Sequence, residues 1–301
     1  MEFLILSDLH LETPSTRPTY FEFTIPPSCP YLVLLGDIGL ASDSRLFEFL
    51  SQQLKQFEIV FFLMGNHEAH DTSYTTAKSL FHSFSQSISH RRRSDLSLGC
   101  FISLDQTRFD ISHNITILGC TLFSAISPEQ AQSVQLFVSD FERVEDWTVE
   151  DHNAAHASDL AWLNKQVLHI SKSAPHRKII IFTHHSPTTT PEANHPRHLK
   201  DASGVRSAFM TDLSAEPCWT ASAVKLWAFG HTHFNCDFVD GRTGKRVLTN
   251  QKGYARSDTE GFDVEKVVVG DQKGTALSGE TGTEEKHQMS SRSKRNNCVV
   301  S

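Results

Sequence analysis

Five short polar motifs, each directly after an apolar run, constrain this chain more than any other feature. The apolar runs read FLILS, YLVLL, EIVFFLM, KIIIF and KLWAF. Such runs, separated by helical patterns, are typical of buried strands in an α/β sheet. Each motif therefore lies at the carboxyl end of a strand, where open α/β sheets place their ligands. The motifs are Asp8-Leu9-His10, Gly36-Asp37, Gly65-Asn66-His67-Glu68, Thr183-His184-His185 and Gly230-His231-Thr232-His233.

The spacing within the motifs indicates shared ligand sites. Alternate residues of a strand lie on one face, so Asp8 and His10 can reach one ion if the strand extends that far. His231 and His233 follow the same rule, or diverge to two ions where the strand ends. Asp37 has two carboxylate oxygens, so it can bridge two ions, and the glycine before it keeps the surrounding space open.

The types of side chain indicate which ions would bind. Asn66 offers a neutral carbonyl oxygen and His184 an imidazole nitrogen, and no thiolate belongs to the set. This mixture favours Mn, Fe, Zn, Ni or Co over a structural zinc site. Oxygen and nitrogen ligands that converge from five strand ends are enough for more than one ion. They therefore favour two-metal hydrolysis of a phosphoester.

Hydrophobic periodicity predicts the remaining elements. Three short alternating segments after the second helix are predicted to be antiparallel strands of a second sheet: Phe101–Leu104, Thr107–Ile111 and Ile115–Phe123. The predicted helices are Ser44–Gln56, Tyr74–Ser89, Ser158–Ile170 and one near Val205–Leu213. The other predicted strands are Glu2–Ser7, Tyr31–Leu35, Ile59–Met64, Lys178–Phe182, Val224–Phe229, Arg246–Thr249 and Val264–Val269.

Composition limits the kinds of partner that this protein is expected to bind and the cellular compartments in which it is expected. The 301 residues carry a formal net charge of −7, which argues against nucleic-acid binding through a broadly basic surface. No apolar run approaches the length of a membrane span. The first residues are predicted to be a core strand rather than a secretory signal, and the six cysteines form no CxxC pair. We therefore expect a cytoplasmic protein with reduced cysteines.

The C-terminal segment has a different composition and a possible lipidation signal. From about Gly270 the chain is too polar to bury a core, which predicts a domain over residues 1–269 and a disordered tail over 270–301. The last four residues, Cys298-Val299-Val300-Ser301, fit a prenylation box in which serine favours farnesyl. Arg292, Lys294 and Arg295 precede it and could contact anionic lipid. We expect Cys298 to bring the protein to a membrane surface; the alternative is a chance cysteine.

The ordered motif set D-x-H, G-D, G-N-H-E, H and G-H-x-H resembles the signature of calcineurin-like metallophosphoesterases, over about residues 1–269. The resemblance implies an α/β fold, a four-layer α/β/β/α sandwich with a dinuclear metal site at the carboxyl ends of the strands. It implies that a hydroxide and Asp37 bridge the two divalent ions. It assigns one ion to Asp8, His10, Asp37 and His233 and the other to Asp37, Asn66, His184 and His231.

By the same resemblance His67 adjoins a ligand without being one, and it is our predicted catalytic residue. A histidine there can donate a proton to the departing alkoxide or stabilise charge on the phosphate. Glu68 either orients His67 or is a surface carboxylate. His185 and the segment His152–His156 either approach the site from loops or pack and cap the helix that follows.

The motifs differ from those of two known branches of this superfamily. The residues after Gly36-Asp37 lack the arginine of protein Ser/Thr phosphatases and the tyrosine ligand of purple acid phosphatases. The pattern is similar to that of class III cyclic-nucleotide phosphodiesterases. We expect a phosphomonoester or phosphodiester substrate, a small molecule or lipid headgroup rather than nucleic acid. Two alternatives are a nuclease of the same fold and a catalytically silent binding module.

Overall fold

Strands and helices alternate along the described part of the chain, which in this computed structural model comprises residues 1–200, 204–254 and 259–270. The strands are β1 (Glu2–Leu6), β2 (Tyr31–Leu35), β3 (Ile59–Leu63), β4 (Cys100–Ser103), β5 (Thr107–Phe109), β6 (Ile115–Gly119), β7 (Lys178–Phe182), β8 (Val224–Phe229), β9 (Asp237–Val239), β10 (Arg246–Thr249) and β11 (Val267–Val269). The α-helices are α1 (Ser44–Gln53), α2 (Tyr74–Arg91), α3 (Ala131–Phe137), α4 (Asp140–Arg143), α5 (Val149–Ser173), α6 (Pro196–Lys200) and α7 (Pro217–Thr220).

The strands form two sheets. The first has the order β11-β1-β2-β3-β4 and is parallel except for β11. The second has the order β5-β6-β7-β8-β10-β9, with a parallel centre and one antiparallel strand at each edge. Parallel neighbours need crossover connections, which the helices supply. All the carboxyl ends of the central strands therefore lie at one edge of each sheet.

Three apolar cores separate four layers. Phe81 of α2 lies in the core between the outer helices and the first sheet. Phe61 and Phe182, from different sheets, lie in the core between the sheets. Leu163 of α5 and Trp227 of β8 lie in the core on the other face of the second sheet. Each sheet is buried on both faces, which explains why the central strands are continuously apolar. The predicted four-layer α/β/β/α sandwich is confirmed.

One of the three strands predicted for the second sheet, Phe101–Leu104, was placed wrongly. Residues Cys100–Ser103 do not join the second sheet as an antiparallel strand; they extend the first sheet, parallel to β3. The whole of α2 lies between β3 and β4, so the connection is a crossover and parallel pairing follows. Only β5 and β6 pair antiparallel as predicted. Periodicity detects a strand but carries no information on its neighbour.

Two predicted helices also differ. Helix α5 begins at Val149, earlier than predicted, because Thr148 and Asp151 form a reciprocal capping box. The helix predicted near Val205–Leu213 is wrong, since only a 3-10 turn at Arg206–Ala208 forms there. No helix in the described ranges is long and apolar enough to cross a membrane.

The two sheets meet where β1 and β10 end. The backbone N–H of Ser7 donates to the carbonyl of Asn250 at 3.0 Å, and that of Gly253 donates to the carbonyl of Asp8 at 2.9 Å. Ser7 and Gln251 form an isolated parallel bridge. These backbone contacts bring the polar motifs of both sheets close together.

Candidate metal centre

The predicted ligands lie beyond the strand ends, in backbone that turns. Strands β1 and β8 end before their motifs, so the strands do not reach the ligands as the face-sharing argument required. Instead Asp8, His10, Asp37, His231 and His233 have φ values of 53°, 46°, 55°, 70° and 47°. Side-chain-bearing residues disfavour this left-handed region. Local turns, rather than strand alternation, therefore aim these side chains.

A first group contains Asp8, His10 and His233, whose ligand atoms lie within 4.8 Å of one another. The Nε2 atoms of His10 and His233 are 2.9 Å apart, and His233 Nε2 is 3.3 Å from Asp8 Oδ1. An ion with ligands at 2.0–2.2 Å separates neighbouring ligand atoms by about 3 Å. The spacing and the donors fit a divalent cation.

A second group contains Asp37, His184 and His231, again with ligand atoms within 4.8 Å. The Nδ1–H of His184 donates to the carbonyl of Leu35 at 2.8 Å, which leaves Nε2 as the free ligand atom. That Nε2 lies 3.0 Å from Asn66 Oδ1. The four side chains supply two imidazoles, a carboxylate and an amide oxygen, which also fit a divalent cation.

Asp37 lies between the two groups. Its Oδ1 is 3.4 Å from His184 Nε2, and its Oδ2 is 3.9 Å from His10 Nε2. Because each oxygen faces a histidine of a different group, this carboxylate has the position that a bridging ligand requires.

The field of these carboxylates favours positive charge. Burial alone would lower the pKa of His184, but the charges of Asp37 and Asp8 raise it to about 10. Burial opposes ionisation of Asp37, yet His184 and His67 hold its pKa well below its usual range. Burial and the charge of His184 lower the pKa of His231 to about 3, so that ring is a neutral imidazole. The centre therefore attracts a cation and offers it a neutral nitrogen ligand.

Two motif glycines give the ligands their space. A Cβ on Gly65 would lie 2.2 Å from Asp37 Oδ1 and 2.7 Å from His184 Nε2. A Cβ on Gly230 would lie 2.6 Å from Asp8 Oδ2. In both cases the backbone of one strand end touches a ligand from another, so only glycine fits.

Glu68 has neither of its two predicted roles. It is fully buried and accepts backbone N–H bonds from Asp37 at 3.0 Å, Ile38 at 2.8 Å and Gly65 at 2.7 Å. Burial and the nearby charge of Asp37 raise the pKa of Glu68 to about 7. This carboxyl group therefore joins the Gly-Asp turn to the Gly-Asn turn instead of orienting His67.

Two carboxylates that sequence reasoning missed contact the site. Glu12 Oε1 accepts a hydrogen bond from His67 Nδ1 at 2.9 Å. Glu12 therefore has the position beside His67 that was expected for Glu68. Asp140 Oδ1 accepts from Asn66 Nδ2 at 2.8 Å and orients that amide. Glu12 continues the D-x-H alternation as D-x-H-x-E, a signal that could have identified it. Asp140 lies 74 residues from Asn66, and no local pattern marks it.

The remaining histidines pack behind the site. His185 is fully buried, its ring centroid is 4.1 Å from that of His231, and neither ring nitrogen has a hydrogen-bond partner among the described residues. His152 and His156 lie on α5 rather than on a loop. His152 Nε2 accepts from the N–H of Ser124 at 3.1 Å, and His156 contacts the backbone of the segment after β6. Of the two interpretations left open, packing applies to all three.

A cleft of about 260 Å³ opens onto the metal centre. Two aromatic rings stack on predicted ligands: Tyr254 on His10, with centroids 4.3 Å apart, and Phe209 on His231, 5.0 Å apart. Phe137 is exposed at the mouth. The lining residues are Asp37, Asn66, His67, Phe137, Val138, Ser139, Asp140, Arg197, Val205, Phe209, His231, Thr232, His233 and Tyr254.

The chain is similar to several known proteins. A family model described as calcineurin-like phosphoesterase matches residues 1–235. An uncharacterised protein of Acanthamoeba polyphaga mimivirus is 24% identical over 269 residues, which cover 83% of this chain and 90% of that protein. Phosphopantetheinyl hydrolase from Mycobacterium tuberculosis has a TM-score of 0.58 at 15% identity, covering 84% of this chain and 89% of that one. A dimetal phosphatase from Danio rerio has a TM-score of 0.48 at 15% identity, covering 83% and 86%.

The close approach at Gly65 gives a first prediction. Gly65→Ala should displace the Asp37 carboxylate and weaken Mn²⁺ binding by about 10-fold or more, as measured by isothermal titration calorimetry. The control is Gly241→Ala, whose added Cβ would meet nothing within 4 Å. Equal Mn²⁺ affinities for the two variants would contradict the steric argument.

Proposed function

The chain belongs to the calcineurin-like phosphoesterase family and is a metal-dependent phosphoesterase, and we propose that it acts through two divalent cations. The single observation that carries the proposal is the pair of ligand groups with Asp37 between them. We assign one cation to Asp8, His10, Asp37 and His233. The second is assigned to Asp37, Asn66, His184 and His231.

The side chains at the cleft divide the chemistry between them. When bound, the two cations, for which Mn, Fe, Zn and Ni are our candidates, would neutralise charge on the phosphoryl oxygens and acidify a water to serve as nucleophile. His67 lines the cleft, and its Nδ1 is bonded to Glu12. Its Nε2 lies 3.4 Å from the Tyr254 hydroxyl and 3.9 Å from Asp37 Oδ2. From this position His67 donates a proton to the leaving oxygen.

The cleft also supports a substrate class. Its lining includes the apolar side chains of Phe137, Val138, Val205 and Phe209. Phe137 and Leu136, which precedes it in the chain, are exposed. Arg197 is a cationic side chain in the lining. This combination favours a phosphomonoester or phosphodiester with an apolar or aromatic group, or a lipid headgroup, over a nucleic acid, which would need a broader basic surface. A catalytically silent module would be expected to have lost ligands, and this chain retains all seven.

Removal of charge from the shared carboxylate tests the dinuclear assignment. Asp37→Asn should lower metal content below two ions per chain and reduce activity by several orders of magnitude. The assays are metal analysis and hydrolysis of bis(p-nitrophenyl) phosphate with Mn, Ni, Zn or Fe(II) supplied. Full metal content with wild-type turnover in Asp37→Asn would rule out a bridging role, and an inactive wild-type protein with every metal would refute the function.

The role of His67 depends on the leaving group. His67→Asn should keep both metals but lose about 10²–10⁴-fold in rate on an alkyl phosphoester, because proton donation is lost. The loss should be smaller for a nitrophenyl ester, whose leaving group needs no proton. Metal content of the same preparations is the control. Equal losses on the two esters would argue against proton donation.

We also propose that the C-terminal box brings the enzyme to a membrane. Cys298 and the basic residues Arg292, Lys294 and Arg295 lie outside the described residues. One prenyl chain binds a membrane only weakly, so the basic cluster would act as a second signal. Cys298→Ser should move the protein to the soluble fraction without changing turnover on a soluble substrate. Intact mass of the protein from its native cell measures the modification directly, and an unmodified C-terminus would refute it.

A further inference from the structure

We propose that Glu12 is a positioning residue shared by the two functions of the site: it holds His10 as a metal ligand and His67 as the proton donor. The inference rests on the proposed function, and it assigns a role to a side chain outside the two groups assigned to the cations. Glu12 forms a third cluster with His10 and His67, whose potential ligand atoms also lie within 4.8 Å of one another. Glu12 Oε1 lies 3.3 Å from His10 Nδ1 and 2.9 Å from His67 Nδ1. One oxygen atom thus binds both rings.

The hydrogen-bonding chemistry of the Glu12 carboxylate determines which nitrogen of each histidine ring donates to it. An ionised carboxylate only accepts hydrogen bonds, so each ring must donate its Nδ1–H to Glu12. The Nε2 atoms of His10 and His67 are then directed to the other side, where each lies 3.9 Å from Asp37 Oδ2. The two ring centroids are 4.4 Å apart at an interplanar angle of 67°. Loss of this anchor would let both rings rotate.

The burial of Glu12 supports a functional reason for its presence. Only 6% of its surface is exposed, and Oε2 has no hydrogen-bond partner among the described residues. A buried carboxylate with an unsatisfied oxygen costs stability, so such a group usually persists where it acts on a site. A purely structural carboxylate would instead bond to the backbone, as Glu68 does.

The second group offers a matched control. Asp140 Oδ1 accepts from Asn66 Nδ2 at 2.8 Å and from His70 Nε2 at 2.9 Å. It is an equally buried carboxylate with one oxygen shared by two donors, but it does not contact His67 through a hydrogen bond. Glu12→Gln and Asp140→Asn therefore weaken comparable contacts. The first removes the charge bonded directly to His67, whereas the charge of Asp140 reaches His67 without a hydrogen bond, so the first should affect proton donation more.

The experiment compares five proteins: wild type, Glu12→Gln, His67→Asn, the double variant of these two, and the control Asp140→Asn. Mn²⁺ dissociation constants come from competition with a chelating dye, and rates come from an alkyl and a nitrophenyl phosphoester at saturating Mn²⁺. Glu12→Gln should weaken one Mn²⁺ by about 10- to 100-fold. At saturating Mn²⁺ it should slow the alkyl ester more than the nitrophenyl ester, and this added loss should vanish in the His67→Asn background. Asp140→Asn should slow the two esters by more nearly equal factors than Glu12→Gln does.

Three outcomes would overturn the proposal. The first is unchanged Mn²⁺ affinity in Glu12→Gln. The second is an alkyl-ester loss of the same size with and without His67. The third is binding of only one Mn²⁺ at saturation by Glu12→Gln, which would make Glu12 a direct ligand.

A measurement on the wild-type protein keeps the test independent of folding and of activity. Long-range ¹⁵N–¹H correlation spectra of the histidine rings, assigned with His10→Asn and His67→Asn, should show a hydrogen-bonded Nδ1–H on His10 and on His67. An Nε2–H tautomer with a free Nδ1 on either ring would contradict the inference. If no phosphoester is hydrolysed, the proposed function fails while the spectra and the Mn²⁺ affinities still decide the role of Glu12.

Discussion

Burial of two carboxylates, Asp8 and Asp37, is the constraint on which this site depends. Both are almost inaccessible to water, with 0% and 2% of their surfaces exposed. A buried charge is expensive unless it is paired. Imidazole rings and backbone N–H groups supply part of the compensation: the N–H of His231 donates to both oxygens of Asp8 at 3.0 Å. Divalent cations would supply the remainder, which links the chemistry of the site to the stability of the strand ends around it.

The backbone at the site departs from the regular geometry of the surrounding sheets. Residues at the metal centre occupy left-handed conformations that usually require glycine, and such strain persists only where the surrounding structure determines it. Cross-connections do so here, because the N–H of His10 donates to the carbonyl of Asp37 at 2.9 Å, and that of Gly230 to the carbonyl of His184 at 2.9 Å. Each motif is held in its conformation by a neighbouring motif rather than by its own sequence.

That dependence explains what could be predicted from the sequence. Strands β2, β7, β8 and β10 were predicted to the residue, since their apolar runs and polar ends are local signals. The ligand residues follow from the same signals, and the structure brings them together; their assignment to ions remains a prediction. The partner of β4 and the role of Glu68 depend on long-range contacts that no window of sequence contains. Asp140 was missed for the same reason. The start of α5, in contrast, follows from a local signal that hydrophobic periodicity does not detect, the capping box of Thr148 and Asp151.

The two halves of the chain depend on each other at the contact between the two sheets. Each ligand group draws side chains from both sheets: Asp8 and His10 join His233, and Asp37 joins His184 and His231. An ion in either group would cross-link ligand residues that are more than 140 positions apart in the sequence. Neither half could hold an ion tightly before the other had folded against it. Metal binding would thus report that the two sheets have packed together. An ion-free chain would be held at this edge by the β1–β10 contacts, by hydrogen bonds between motifs such as that of His184 with the Leu35 carbonyl, and by the apolar core.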